Sequence, residues 1–219
     1  ELVVVKNGLS GAIVVGRKGV LGEVPAYKAH SVFTIGSGDV FVAAFAYAWA
    51  IERSEPVDAA RYASNAVASY IETRALPMIS PEDADAHVRD PVILNKGRIY
   101  LAGPFRELGQ RILINEARSI MRQMGMEVFS PVHDVGRGPA EKVVRLDLEG
   151  LETCDAVFAI LNGSSPGTLF EIGYAVREKT PVFCVAQNVR DVDMKLPVGA
   201  GCTIHQDFIS ALHLLAWRV

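Results

Sequence analysis

The sequence predicts an α/β protein whose second half is a parallel, doubly wound sheet. From Arg98 onward, short apolar runs alternate with helical stretches, the pattern of strands joined by helical crossovers that cover both faces of a sheet. One run, Ala156-Val-Phe-Ala-Ile-Leu161, reads as a strand and feeds a loop of small residues, Asn162-Gly-Ser-Ser-Pro-Gly167. That loop opens a helix, and its first turn is read as carrying a single carboxylate, Glu171. In an open α/β sheet, ligands sit at loops of this kind, at the carboxyl ends of strands, and the amides of the helix start suit an anion.

The whole chain bounds the possibilities. Its 219 residues are comfortable for two small domains. Half are hydrophobic and 21% charged, enough for a real core. A net charge of −3 and a pI near 6.0 give no basic footprint for nucleic acid. No apolar run approaches the roughly 20 residues that span a bilayer, so no membrane partner is expected. The chain starts in a Val-rich run behind Glu1 with no basic segment, which gives no signal-peptide pattern. The missing initiator Met is taken to mean that a longer protein has lost its beginning. Cys154, Cys184 and Cys202 have neither zinc nor disulfide spacing, so a reducing cytoplasm is expected, with Cys184 a buried thiol.

In chain order, Leu2 to Gly8 and Ala12 to Val15 read as two strands joined by a Gly-containing turn, and Gly19 to Tyr27 as a further extended piece. Phe33-Thr-Ile-Gly-Ser-Gly-Asp39 is a Gly-rich loop entering an Ala-rich helix that runs to about Arg53. A second helix covers about Val57 to Glu72, with Ala60, Ala63, Val67 and Tyr70 near helical spacing. Gly36-Ser-Gly-Asp39 followed by Phe41 and Ala44-Phe45, together with Lys6-Asn-Gly8-x-x-Gly11 and Ala63-Ser-Asn65-Ala66, resembles the carboxyl-terminal part of the ribokinase-like (PfkB) carbohydrate kinases. The resemblance implies an anion hole at Gly36 and Gly38, with Asp39 as a base. It covers only about the first 75 residues, and Phe33 replaces the family's usual Asp. Asp39 is then read as no more than a first-turn carboxylate favoured by the helix dipole, kinase activity is not expected, and residues 1–78 read as a kinase remnant.

Prolines and clustered acids between Leu76 and Gly97 predict a connection, with a linker at 79–97 and a second domain at 98–219. There the expected elements are a strand at Arg98–Ala102, a helix from Glu107 to Met124, and a short strand at Glu127–Phe129. A Gly/Pro-rich loop to Pro139 and a helix from Ala140 to Thr153 come next. Strand Ala156–Leu161, a helix from Thr168 to Glu178, strand Pro181–Val185 and a closing helix from Asp207 to Trp217 complete the chain.

The loops Gly103-Pro-Phe-Arg106 and Asn162 to Gly167 are predicted to converge at one sheet edge. Together with Asp147-Leu-Glu-Gly-Leu-Glu-Thr-Cys-Asp155 and Glu171-Ile-Gly-Tyr-Ala175, this pattern resembles the nucleoside 2-deoxyribosyltransferase family, from about Arg98 to Val185. The resemblance implies a flavodoxin-like or Rossmann-like sheet and a catalytic trio. Glu171 would be the nucleophile at the anomeric carbon, Tyr100 at the end of the first strand would orient it, and Asp147 would protonate the departing base. Cleaving a glycosidic bond with retention needs one carboxylate as nucleophile and another group as acid. Thr168-x-x-Glu171 is also a capping-box pattern, which would leave Glu171 a purely local role.

Asp155 either lines the same pocket or is a helix-to-strand turn residue. Members of the superfamily take free nucleosides or 5′-monophosphates. Ser165 stands where the transferases often carry an acid. Arg106 behind Phe105, with Ser165 and Gly167, would cradle a phosphate that an extra carboxylate would repel. A solvated surface role for Arg106 fits the sequence as well. No cofactor or metal is implied; His205 and His213 have no metal spacing, and His133-Asp134, in the loop after the second strand, could reach the base but is read as a surface turn. Partners are expected to be a nucleoside or nucleotide and further copies of the chain. A homodimer or larger assembly would share active sites through the loop Asp191 to Gly201. Two rival readings are a phosphotransferase using Asp39 and a non-catalytic nucleotide sensor.

Overall fold

The computed structural model describes every residue of the chain except Val88, Asn95 and Val219. The chain divides into two compact units, Glu1–Leu94 and Asn95–Val219.

In the first unit, β1 (Leu2–Lys6), β2 (Ala12–Gly16) and β3 (Gly19–Val24) form an antiparallel meander. Helix α1 (Ser37–Ala46) passes directly into a π-helical stretch, Tyr47–Ile51, and α2 (Pro56–Thr73) returns beside it. The Ala-rich faces of the helices let them approach closely. Ala44, Ala60, Ala63 and Ala66 bury themselves with Val40 and Phe41 against Ala12, Val14 and Val24.

The segment read as a linker is only partly one. Ser80-Pro-Glu-Asp starts a short helix, α3 (Pro81–Ala86), in which the Ser80 hydroxyl accepts from the Asp83 amide at 3.1 Å. Ser at the cap, Pro in the first turn and acids behind them are a helix-start signal that the linker reading passed over. Beyond it, Asp90 and Val92 pair through backbone hydrogen bonds with Lys28 and Ala26, and Arg89 salt-bridges Glu72 at 2.7 Å. These contacts place residues up to Leu94 in the first unit. Val88 and Asn95, also within the expected linker, lie outside the described residues.

The second unit is a five-stranded, all-parallel sheet: β4 (Arg98–Ala102), β5 (Glu127–Phe129), β6 (Ala156–Ile160), β7 (Val182–Val185) and β8 (Thr203–His205), in spatial order β5-β4-β6-β7-β8. Numbered within this sheet, that is 2-1-3-4-5, the flavodoxin-like order, with its switch point between β4 and β6. Every residue of β6 is buried, as the central strand of a doubly covered sheet requires. The connecting helices are α4 (Leu108–Gln123), α5 (Pro131–Asp134), α6 (Ala140–Glu152), α7 (Pro166–Arg177), α8 (Lys195–Gly199) and α9 (Phe208–Ala216). Helices α4 and α9 pack together, as do α6 and α7. Tyr100, Ala102, Val157 and Ala159 share a core with Leu151 of α6 and with Ile172 and Ala175 of α7.

Three expectations are corrected. The loop before Pro139 contains α5, and the loop between Asp191 and Gly201 contains a 3-10 turn and α8, followed by an unforeseen strand, β8. Helix α7 begins at Pro166, with Ser165 as its N-cap, so Glu171 lies in the second turn and not the first. Proline fits the first helical position because its fixed φ suits the helix and it has no amide proton to leave unpaired.

Candidate active site

Helix periodicity delivers Glu171 to the sheet. Thr168, Ile172 and Ala175 are buried along one face of α7, and Glu171 lies on the same side. Tyr100 occupies the centre of β4, not its end, and its side chain alternates toward that helix layer. The phenol, 0% exposed, donates its O–H to Glu171 Oε1 at 2.7 Å. The capping-box reading therefore fails: Thr168 is inside the helix and buried, and Glu171 spends its carboxylate on a side chain of another element.

Asp147 comes from α6, on the same face as Gly150 and Leu151. One of its carboxylate oxygens, Oδ1, is buried with no hydrogen-bond partner among the described residues. Burial raises the Asp147 carboxyl above its ordinary range. Burial likewise pushes Glu171 up to about 7; the Tyr100 hydrogen bond works against that and the neighbouring Asp147 charge adds to it. The Tyr100 hydroxyl is pushed upward by burial and then by the Glu171 and Asp147 charges, so it remains a hydrogen-bond donor at any working pH. The cluster thus holds two carboxyls with raised proton affinity and one neutral donor, the inventory of acid/base and nucleophilic chemistry.

The trio is braced from behind. The Phe129 ring stacks on Tyr100 with centroids 5.6 Å apart. Gly150 makes room for it: a Cβ there would come within 2.3 Å of the Phe129 ring. The Tyr174 hydroxyl of α7 donates to Glu152 of α6, fixing the helix that carries Glu171 to the helix that carries Asp147.

The two strand-end loops converge as the sequence predicts. Gly103 approaches Ile114 and Ile160 so closely that a Cβ would lie 2.6 Å from the Ile114 side chain. Gly163, at φ +85°, abuts Gln110, leaving 2.8 Å from an added Cβ to Nε2. Gln110 Oε1 in turn accepts from the amides of Arg106 and Glu107 at 3.0 and 3.1 Å. Asn162 Oδ1 accepts from the Gln187 amide at 2.8 Å, joining the loop after β6 to the one after β7. Sequence reasoning placed Asn162 in the converging loop without giving it a role and missed Gln110 and Gln187; a Glu107-x-x-Gln110 cap signature was the available cue for Gln110. Phe105 and Arg106 are exposed on the first loop, Ser165 is half-buried, and Gly167 is exposed in the first turn of α7.

Asp155 does not join them. Its Oδ2 accepts from the Arg98 amide at 2.7 Å, where β4 and β6 begin, at the opposite edge from the strand-end loops. It is the helix-to-strand turn residue. His133 faces α4, bonding Asn115 and Ser130. In the first unit, Gly36 caps α1 at φ +82°, and Lys6 Nζ donates to the Gly38 carbonyl at 3.2 Å. Asp39 is exposed in the first turn of α1.

A family model described as nucleoside 2-deoxyribosyltransferase matches residues 99–208. The chain belongs to the nucleoside 2-deoxyribosyltransferase family. It is an enzyme of that family, and a second model, the pfkB family carbohydrate kinases, matches residues 1–83. Among solved structures, the chain is similar to a 2-deoxyribosyltransferase from Bacillus psychrosaccharolyticus at 26% identity, covering 50% of this chain and 86% of that one, with a TM-score of 0.44. It is similar to a 2-deoxyribosyltransferase from Leishmania mexicana at 20% identity, covering 57% and 99%, with a TM-score of 0.48. The corresponding figures for a CMP N-glycosidase from Clostridium botulinum are 19% identity, 54% and 97%, and a TM-score of 0.42. No curated protein matches the chain. Among the described residues no helix is long and apolar enough to cross a membrane.

Proposed function

We propose that this deoxyribosyltransferase-family chain cleaves the N-glycosidic bond of a nucleoside or nucleoside 5′-monophosphate by double displacement. Glu171 attacks C1′, the C1′–N bond breaks with its electron pair leaving on the base, and Asp147 protonates that base. The sugar, held as an ester on Glu171, passes to a second base or to water. Tyr100 orients the nucleophile. The observation that carries this reading is the Tyr100–Glu171 hydrogen bond at 2.7 Å beside a second carboxylate whose buried oxygen has no partner among the described residues. A structural carboxylate pair in such a place would be satisfied, not left with proton affinity to spare.

Of the two substrate classes we favour 5′-monophosphates. Arg106 makes no ion pair among the described residues, and it shares the switch-point edge with Ser165 and the amides that open α7. A guanidinium with a helix start suits a phosphate. A second copy of the chain completes the site through α8, whose Leu196 and Val198 are 85% and 59% exposed; a monomer by light scattering at working concentration would remove that part.

The deciding experiment incubates the enzyme with a panel of nucleosides and 5′-monophosphates, with and without acceptor base, and scores free base by chromatography. Release from monophosphates, lost at least about a thousandfold in Glu171→Gln, is the expected result. Exchange on free deoxynucleosides alone would refute the phosphate preference, and an active Glu171→Gln would refute the mechanism.

A further inference from the structure

An open cleft lies on the other helix layer. It has a volume of about 490 Å³ and is lined by Asn115, Arg118, Ser119, Arg122 and Gln123 of α4 and by His133 of α5. The first four recur at i, i+3, i+4 and i+7, one stripe of the helix. Because α4 packs with α9 while α6 and α7 carry Asp147 and Glu171, the cleft is separate from the catalytic trio.

Its chemistry is one-sided. No carboxylate lines it. Arg118 gives one nitrogen to Asp134 at 3.2 Å, and its Nε is buried without a partner among the described residues. Arg122, one turn on, forms no ion pair among the described residues. Two cations at i and i+4 repel one another; Asp134 offsets the charge of Arg118, and Arg122 has no such counter-charge among the described residues. The other lining groups also have donors left over. The His133 ring uses both nitrogens, on Ser130 Oγ and on Asn115 Oδ1, each at 2.9 Å. With the Asn115 oxygen facing the ring, its N–H₂ has no partner among the described residues. Ser119 Oγ accepts from Gln123 Nε2 at 3.3 Å, leaving its own proton to donate. A positive charge near the end of α4 also complements the helix dipole, which accounts for Arg122 alone but not for donors gathered around it. The volume is in the range of pockets that hold small metabolites.

We propose that this cleft is a binding site for a small phosphate-bearing anion, gripped by the guanidinium fork of Arg122 and the remaining terminal nitrogen of Arg118, with the Asn115 amide and the Ser119 hydroxyl completing the shell. The inference does not depend on the catalytic reading. The test is isothermal titration of the full chain with inorganic pyrophosphate, repeated on Arg122→Gln and on Arg106→Gln, with nitrogen-detected NMR of the histidine rings as the local reporter. Arg122 is exposed, so its replacement is expected to leave folding intact, which an unchanged melting temperature would establish. The expected result is saturable binding that moves the His133 ring signals, weakens at least tenfold in Arg122→Gln, and survives in Arg106→Gln. Binding that survives Arg122→Gln and disappears in Arg106→Gln would assign the anion to the switch-point edge and overturn the proposal. Absence of saturation, or saturation by citrate but not by pyrophosphate, would overturn it as well.

Discussion

Burial holds the Glu171 carboxyl up to about 7, so at neutral pH the residue is divided between its acid and its nucleophilic forms. Under the proposed mechanism kcat/KM rises as pH rises through about 7, since only the carboxylate attacks. Tyr100 donates to that carboxylate, and losing the bond removes the influence that lowers its pKa. Tyr100→Phe is therefore expected to move the acidic limb of the profile to higher pH and to cost about ten- to a hundredfold in rate, the worth of a hydrogen bond to a charged group. A merely structural tyrosine would lower the rate without moving the limb. Stability carries the opposite sign. A carboxyl whose folded pKa lies above its unfolded one favours folding below the unfolded value, and that advantage is lost as pH rises through the folded value. Glu171→Gln should match the native protein near pH 4 and exceed it by about 2–3 kcal/mol above neutrality, read as urea midpoints at the two pH values. An equal midpoint at high pH would mean that the carboxylate is not buried at cost.

Between Tyr100 and the solvent stand whole elements, and there the fit is tight. Gly150 admits α6 against Phe129, and Phe129 supports Tyr100. Gly150→Ala is expected to destabilise the chain by about 1–3 kcal/mol through overpacking and to lower base release, both measurable on one purified variant. Elements of this kind were legible in the sequence where periodicity was strong. The apolar run of β6 and the alternation from Arg98 onward pointed to the sheet, and the resemblance to the nucleoside 2-deoxyribosyltransferase family pointed to Tyr100, Asp147 and Glu171, of which Tyr100 and Glu171 are hydrogen-bonded to one another. What was not legible rested on short or long-range features. Strand β8 has three residues, and α8 has five with a proline inside, too little pattern for either period. The start of α7 was placed late because Thr168-x-x-Glu171 imitates a cap, while the true start is Ser165-Pro166. Asp155 could be separated from the trio only by knowing at which end of β6 it falls.

At the scale of the molecule, each unit owns a core: alanines of α1 and α2 against the meander in one, the flavodoxin-like sheet in the other. A separate buried cluster in each unit predicts two calorimetric transitions. Glu171→Gln should shift one of them and leave the other in place; a single transition moving as a whole would contradict the division. Within the second unit, the rim of the switch point is stitched before any substrate arrives, through Gln110 to the first loop and through Asn162 to the loop after β7. If substrate enters here, as proposed, a rim tied in this way has little freedom left to surrender on binding. Under the proposed function, selectivity would then rest on fit at the threshold, with rejected molecules failing to enter instead of being clasped and tested.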